Sequence, residues 1–304
     1  MNRKIVYMFP GQGSQSVGMR SKLGGMTEEQ KELFSTADYI LGFPLSVLID
    51  QGPDEELTRT SNTQPAMLVM GLAFGRAIEA RGHAADIVMG HSLGEYTALV
   101  HCGVIDFKDA LGIVRRRGEL MEKAVKHTPG KMAAVIGADR IKLDDILGIC
   151  SADGVIEAAN FNSPVQTVLS GQEDAVDRAV RLINEGGIGK AVELNVSAPF
   201  HSSLMKPVAD EFSRYLSEFT FSPPSLEFID NVTGAMEKDP ENIRKKLVLQ
   251  ISSPVQWERS MRAACDAGAS SFIESGPGSV LTGLAKRIVK DQKIISGEKL
   301  IKEA

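Results

Sequence analysis

The chain has 304 residues, of which 43% are hydrophobic and 24% charged. This is the composition of a globular protein with a sizeable core, folded as one large domain or two smaller ones. The net charge of −5 and a pI near 5.7 argue against non-specific nucleic-acid binding, which requires a cationic face.

Three features predict a soluble cytoplasmic protein. The three cysteines, Cys102, Cys150 and Cys265, are far apart and in no metal-binding spacing, which indicates reduced thiols. The N-terminal apolar run stops at Pro10-Gly11, which is unlike a signal peptide. No run approaches the about 18 apolar residues that are needed to span a bilayer.

The first predicted element is a short apolar strand at residues 5–9, followed by a glycine-rich loop. A strand followed by Gly-x-Gly suggests a dinucleotide-binding turn, but Ser16 stands where that fingerprint requires a third Gly or Ala. The glycines on both sides of Gln12 allow its backbone N–H to approach another group closely, as an oxyanion donor must. A plain glycine turn is equally compatible with this segment alone.

Helices are predicted at residues 28–49, where the pattern becomes irregular, and at 67–81, with Pro65 in the first turn of the second. A nucleophile elbow follows. The run 87–89 reads as a buried strand and 95–100 as the start of an amphipathic helix, and between them lies Gly90-His91-Ser92-Leu93-Gly94. Glycines on both sides of Ser92 permit a very tight turn, which exposes the hydroxyl at the helix N-terminus. A glycine-rich turn with a capping serine is the simpler alternative.

The next helix, residues 107–125, is capped by Asp106 and contains three consecutive arginines. Its periodicity places Arg117 on the apolar stripe, at i+4 from Ile113, and turns the other two arginines toward a polar flank. A buried guanidinium is costly unless an anion meets it. Arg117 is therefore predicted either to form a structural ion pair or to receive the carboxylate of a substrate.

Residues 128–196 show a different pattern. Strand, helix, strand, strand, helix and strand are predicted at 132–136, 143–150, 155–160, 167–170, 174–184 and 191–196. This β-α-β-β-α-β order is that of a ferredoxin-like unit. We therefore predict a small domain at 128–196 inserted into a large α/β domain made of residues 1–127 and 197–304.

The C-terminal part returns to the large domain. His201 lies in a Pro-containing loop directly after a predicted strand, which is compatible with a structural or a catalytic histidine. Further strands are predicted at 226–230 and 271–274, and Trp257 is expected in the core. The charged tail from Lys290 is expected to fray.

Eight motifs occur in order along nearly the whole chain. They are Phe9-Pro10-Gly11-Gln12-Gly13-Ser14-Gln15, Gln64-Pro65-Ala66, Gly90-His91-Ser92-Leu93-Gly94-Glu95, Arg117-Gly118, Asn162-Ser163-Pro164, Phe200-His201-Ser202, Asn231-Val232-Thr233 and Gly276-Pro277-Gly278. In this the sequence resembles the malonyl-CoA:acyl carrier protein transacylase family, including the free-standing trans-acting acyltransferases of polyketide synthases. One departure is Ser279, where many members carry a lysine.

The resemblance implies an α/β-hydrolase-like large domain with an inserted ferredoxin-like small domain. It implies that Ser92 is the nucleophile and His201 its base, since a serine hydroxyl needs a base within hydrogen-bond reach. The histidine would be oriented by the backbone carbonyl of Gln250 rather than by a carboxylate. The backbone N–H groups of Leu93 and Gln12 would bind the oxyanion.

The remaining implied roles concern substrate choice. Arg117 would grip the malonyl carboxylate with two hydrogen bonds. Gln64 and Asn162 would line the pocket. Phe200 would select malonyl over methylmalonyl, because Phe-His-Ser accompanies malonyl selection in the resembling enzymes and Ser-His-Ser accompanies methylmalonyl.

The implied reaction is a ping-pong transfer of malonyl from malonyl-CoA to the phosphopantetheine thiol of an acyl carrier protein. It requires no metal or redox cofactor, coenzyme A being the substrate carrier, and no nucleic acid or membrane. An acyl hydrolase that clears carrier proteins is an alternative, although such an enzyme has no use for a buried Arg117. A catalytically silent docking module is another. Fatty acid and polyketide synthesis use the same chemistry, so both pathways remain open.

Overall fold

The computed structural model describes residues 4–196 and 198–303, which form two β-sheets surrounded by helices. The strands are β1 Lys4–Phe9, β2 Ile87–Gly90, β3 Lys131–Ile136, β4 Ile156–Ser163, β5 Gln166–Gly171, β6 Lys190–Glu193, β7 Glu227–Ile229, β8 Met236–Glu237, β9 Ala269–Glu274 and β10 Lys293–Ser296. The helices are α1 Glu28–Leu41, α2 Leu45–Gln51, α3 Asp54–Thr58, α4 Thr60–Glu79, α5 Gly94–His101, α6 Phe107–His127, α7 Arg140–Cys150, α8 Glu173–Glu185, α9 Lys206–Leu216, α10 Pro240–Gln250, α11 Trp257–Asp266, α12 Val280–Ile288 and α13 Gly297–Lys302.

The larger sheet has the strand order β10-β9-β1-β2-β7-β8, and every pair is parallel except β7 with β8. The run Val6–Phe9 of β1 and the run Ile87–Met89 of β2 are apolar because both faces of the sheet are covered there. Tyr7 and Phe9 face one core cluster, whereas Val6 and Met8 face the other. The period of two along β1 thus divides its side chains between two apolar layers.

The register of β1 and β2 determines where the loops meet. Phe9 pairs with Gly90, the last residues of the two strands. Because both strands are parallel, the loop around Gln12 and the turn around Ser92 leave the same edge of the sheet. Ligands of open α/β sheets bind outside this carboxyl edge.

The smaller sheet has the order β4-β5-β3-β6, and all its neighbours are antiparallel. With α7 and α8 packed on it, this is the predicted ferredoxin-like arrangement. Its edge strand β4 contacts the larger part of the chain, where Phe161 N donates to Val255 O at 2.9 Å. The last strand ends at Glu193 instead of the predicted 196, and Leu194–Val196 follow as irregular chain whose side chains reach the cleft described below.

The longest helices, α4 and α6, approach each other closely at Gly118. A Cβ at this position would lie 2.7 Å from Ser61 Cα, so only glycine permits the contact. Helix α4 is buried along most of its length. No single helix in the described part of the chain is long and apolar enough to cross a membrane, and the one pair that passes that test together, α1 with α2, is bent by 115°.

The prediction that Pro65 lies in the first turn of its helix is wrong. Helix α4 starts at Thr60, so Pro65 lies inside it. Proline lacks the N–H that would bond to the carbonyl four residues earlier, here that of Ser61. This carbonyl accepts a hydrogen bond from Arg115 Nη1 at 3.1 Å. A contact from α6 thus satisfies the group that the proline leaves free.

The prediction that the tail frays from Lys290 is also wrong. Strand β10 pairs with β9 in parallel, and α13 follows with Ile301 buried. Ser296 caps this helix by accepting from Lys299 N at 3.4 Å. The prediction failed because this segment is rich in charged residues. Its strand is stabilised by backbone hydrogen bonds to β9 and by a few apolar side chains at the edge of the sheet.

Candidate active site

Ser92 occupies a strained turn at the end of β2. Its φ is 51°, in the left-handed region that costs a non-glycine residue about 1–3 kcal/mol. Both neighbouring glycines are required by close packing: a Cβ at Gly90 would overlap the backbone of Gly94, and one at Gly94 would overlap the carbonyl of Phe9. The turn is held in place by Asn231, whose Oδ1 accepts from Ser92 N at 2.7 Å and whose Nδ2 donates to Gly90 O at 2.6 Å.

Ser92, His201 and Gln250 form a hydrogen-bonded chain. Ser92 Oγ lies 2.8 Å from His201 Nε2, and His201 Nδ1 lies 2.7 Å from the backbone oxygen of Gln250. A carbonyl oxygen only accepts, so Nδ1 carries the proton and, in the neutral ring, Nε2 is free to accept from the serine hydroxyl. This is the tautomer that a general base requires.

The environment of His201 keeps the ring neutral. The residue is buried, and burial lowers its pKa to about 3, with the nearby Arg117 guanidinium acting in the same direction. The backbone contact with Gln250 opposes this shift. The imidazole is therefore unprotonated, and ready to accept a proton, throughout the neutral range.

Arg117 is buried beside the serine. Its Nη2 lies 3.3 Å from Ser92 Oγ and 2.9 Å from Gln250 Oε1, and its guanidinium lies 5.4 Å from the centre of the Tyr96 ring. No carboxylate of the described residues forms an ion pair with it, and its Nε has no hydrogen-bond partner there. Burial lowers its pKa. The alternative of a structural ion pair is therefore wrong for Arg117.

Two backbone N–H groups near the serine have no hydrogen-bond acceptor among the described residues. Neither Leu93 N nor Gln12 N donates to an acceptor of the described residues, whereas Gly94 N bonds to His91 O. Gly11 lets the two loops approach closely, since a Cβ on it would lie 2.5 Å from the backbone oxygen of His91. The loop and the elbow thus present free N–H groups at one edge of the sheet.

A cleft of about 620 Å³ opens beside the elbow, between the two sheets. Its walls include the Gln12 loop, His91, Asn162, Ser279 and Arg287. His91 Nε2 lies 2.8 Å from Asn162 Oδ1, which connects the elbow to strand β4. Asn162 therefore lies where its pocket role requires, although the role itself remains a prediction.

Gln64 and Phe200 lie elsewhere. The described contact of Gln64 is with Met121, at 3.3 Å from Nε2 to Sδ, and its Oε1 has no partner among the described residues. Phe200 is 9% exposed and packs in the main core cluster. The next residue, His201, has a φ of 59°. The selectivity role of Phe200 and the pocket role of Gln64 stay predictions.

Sequence reasoning missed two buried residues at the site, Glu95 and the elbow-supporting Asn231. Both belong to the eight sequence motifs, but neither local pattern indicates a partner. Each acts on residues far away in sequence, since Glu95 accepts from Asn231 N at 3.1 Å, 136 positions away. Asn231 follows a predicted strand directly, and this position at the carboxyl end of a strand is the sequence feature that could have indicated a site residue.

A serine on a strained elbow, bonded to a histidine and flanked by free backbone amides, is the arrangement of serine-dependent acyl-transfer enzymes. No three His, Cys, Asp or Glu side chains of residues 4–196 and 198–303 cluster as a metal site would require. The model of the acyl transferase domain family matches residues 6–302. The chain belongs to this family and is an acyltransferase.

Relatives that match over nearly the full length are named as malonyl transacylases or malonyltransferases. The malonyl CoA-acyl carrier protein transacylase of Escherichia coli K12 is 42% identical over 287 residues, which are 94% of this chain and 93% of that protein. The structure of an acyl carrier protein S-malonyltransferase from Vibrio cholerae matches with a TM-score of 0.92 at 42% identity, over 96% of both chains. A malonyl-transacylase in complex with a type II PKS acyl-carrier protein matches with a TM-score of 0.91 at 40% identity, over 96% of this chain and 94% of that one.

Proposed function

We propose that this protein transfers the malonyl group of malonyl-CoA to the phosphopantetheine thiol of an acyl carrier protein, through a malonyl ester of Ser92. The observation that carries this proposal is Arg117, a buried cation with no carboxylate partner in the described chain, 3.3 Å from the serine oxygen. A malonyl thioester bears a carboxylate one methylene from its reacting carbonyl, so its anion fits beside the nucleophile.

The first half-reaction loads the enzyme. Ser92 Oγ attacks the thioester carbonyl while its proton passes to His201 Nε2, and the N–H groups of Leu93 and Gln12 receive the developing oxyanion. The C–S bond then breaks and the leaving coenzyme A sulfur takes the proton from His201. A malonyl ester remains on Ser92, with its carboxylate held by Arg117.

The second half-reaction reverses these roles. The carrier-protein thiol gives its proton to His201 and attacks the ester carbonyl, and the same two N–H groups stabilise the oxyanion. The ester C–O bond breaks, and Ser92 recovers its proton from His201. In this scheme no redox change occurs and coenzyme A is a substrate carrier, so the reaction needs neither a metal nor a redox cofactor.

The relatives support the choice of partners. The Escherichia coli relative is named for malonyl CoA and an acyl carrier protein, and the malonyl-transacylase of the solved complex is bound to a type II PKS acyl-carrier protein. We propose that this chain acts on the same partners, in fatty acid or polyketide synthesis, and in the cytoplasm. We also propose that residues 128–196 form the small domain and that 1–127 and 197–304 form the large one.

The direct test is a transfer assay with purified protein, malonyl-CoA and phosphopantetheinylated carrier proteins of the fatty-acid and polyketide types. Malonylation of at least one carrier, read by intact mass spectrometry, is the expected result. The same carriers without phosphopantetheine serve as controls and should stay unmodified. Release of free malonate at the rate of malonyl-CoA consumption, with no loaded carrier, would show a hydrolase instead.

Replacement of Phe200 by serine should narrow the preference for malonyl over methylmalonyl. Ser92 and Arg117 would fix both ends of the acyl group, which leaves an α-methyl little freedom to turn away from the protein. We propose that this methyl would collide with the rigid ring of Phe200, the residue directly before His201. Discrimination of one methyl corresponds to roughly 10–200-fold in kcat/KM. The measurement is kcat/KM for both thioesters, with Phe200→Leu as the apolar control. Equal use of both thioesters by the unmodified protein would contradict the prediction.

The activity should not fall at mildly acidic pH through protonation of the catalytic histidine. With its pKa lowered to about 3, His201 is unprotonated at every pH well above that value, so the base is lost only when the pH falls toward 3. We expect kcat/KM for malonyl-CoA to stay within about two-fold between about pH 5 and pH 7. Circular dichroism at each pH controls for unfolding. A ten-fold fall per pH unit below the ordinary histidine pKa of about 6.5 would show that His201 titrates normally.

A further inference from the structure

Glu95, in the first turn of α5, is a buried acidic residue close to the reacting groups. It is 1% exposed, and no lysine or arginine of the described chain forms an ion pair with it. Its Oε1 accepts from Asn231 N at 3.1 Å and its Oε2 accepts from Gln250 Nε2. Burial of an ionised carboxylate that meets only neutral donors costs free energy. We therefore expect Glu95 to contribute to the neighbouring active-site residues.

Gln250 is in contact with three residues that the proposed reaction uses. Its backbone oxygen accepts from His201, its Nε2 also donates to Ser92 O at 2.9 Å, and its Oε1 accepts from Arg117 Nη2 at 2.9 Å. A side-chain amide has one donor end and one acceptor end. Glu95 presents an acceptor to this amide, so Nε2 turns toward Glu95 and Oε1 is left facing Arg117.

We propose that Glu95 is a positioning residue for substrate binding: by orienting the side-chain amide of Gln250 it holds Arg117 beside Ser92, ready for the malonyl carboxylate. This inference rests on the proposed function. Glu95 touches none of the reacting atoms and acts through Gln250. Its effect should therefore appear with substrates that carry a carboxylate and be small with those that do not.

The chemistry of the pocket supports this assignment. If the amide of Gln250 rotated by 180°, its N–H₂ would face the guanidinium of Arg117, donor against donor, and its oxygen would face the carbonyl of Ser92. Burial and the neighbouring Asp230 raise the pKa of Glu95 to about 8, whereas the contacts from Gln250 and Asn231 oppose that shift. In the ionised carboxylate both oxygens accept, and in the protonated acid the contact to Gln250 Nε2 is kept when the proton lies on Oε1.

The test is Glu95→Gln, which preserves size but replaces one acceptor oxygen by a donor N–H₂. This group must either oppose Asn231 N or oppose Gln250 Nε2, and the second arrangement turns Gln250 Oε1 away from Arg117. We expect kcat/KM for malonyl-CoA to fall about ten-fold relative to that for acetyl-CoA, mainly through a higher KM for malonyl-CoA. An unchanged ratio, or equal losses for both thioesters, would overturn the proposal.

A double-mutant cycle shows whether Glu95 acts through Gln250. Gln250→Met removes the amide but keeps the backbone carbonyl that receives His201 Nδ1. In a Gln250→Met background there is no side-chain amide for Glu95 to orient. The double variant should therefore lose no more malonyl selectivity than Gln250→Met alone. Additive losses would overturn the proposal.

Two controls complete the design. Thermal unfolding of each variant checks folding, and if Glu95→Gln does not fold, Glu95→Asp replaces it, with the same expected direction because the shorter side chain no longer reaches Gln250. Malonyl transfer by the unmodified protein separates the two hypotheses. Its absence would refute the proposed function, whereas transfer with an unaffected Glu95 variant would refute only this inference.

Discussion

Ser92→Ala should abolish covalent loading. Incubated with malonyl-CoA and no carrier protein, the unmodified protein should gain the mass of one malonyl group, and the variant none. The reason is that no other described hydroxyl combines a left-handed elbow with a 2.8 Å contact to a histidine whose other nitrogen is held by a carbonyl. Transfer should fall by roughly 10⁴-fold or more, as it does when a nucleophile of this type is removed.

Ser279→Ala is the matched control for this experiment. Ser279 also lines the cleft, but it is exposed and makes no side-chain hydrogen bond within the described chain. Its replacement should leave the adduct intact. An adduct that persists in Ser92→Ala, located by peptide mapping, would identify another nucleophile and refute the proposed mechanism.

Arg117→Ala should reduce malonyl transfer far more than acetyl transfer. A malonyl carboxylate would accept from the buried guanidinium in place of Ser92 Oγ while Gln250 keeps its contact to Nη2, and hydrogen bonds between charged groups contribute on the order of 1.5–3 kcal/mol. This corresponds to roughly a ten- to hundred-fold fall in kcat/KM. The measurement is kcat/KM for malonyl-CoA and acetyl-CoA with the same carrier protein.

Arg117→Lys separates charge from geometry. Lysine keeps the positive charge but cannot offer two parallel N–H donors, so it should recover only part of the malonyl activity. Acetyl transfer should change little in either variant. Equal losses of malonyl and acetyl transfer would show that Arg117 supports the elbow rather than binding the substrate.

The order of the elements and the chemistry of the elbow could be predicted from the sequence because both depend on local pattern. The run from Gly90 to Gly94 specifies a tight turn through the absence of two side chains, and periodicity alone placed Arg117 on a buried stripe. The β-α-β-β-α-β order likewise follows from successive short patterns and was confirmed by the small sheet. The C-terminal strand was missed because its few apolar residues gain their stability from pairing with β9.

The resemblance assigned the backbone carbonyl of Gln250 to the histidine, but only the tertiary structure shows what the side chains of Glu95, Asn231 and Gln250 contact. Gln250 contacts Ser92 from 158 positions away, and a side-chain amide in a helix carries no local mark of the partner it meets. The same holds for Pro65, since the carbonyl that it leaves free is satisfied by a helix remote in sequence. Local sequence determines turns, helices and strands through backbone sterics and hydrophobic period, whereas the partners of buried polar groups depend on which elements pack together.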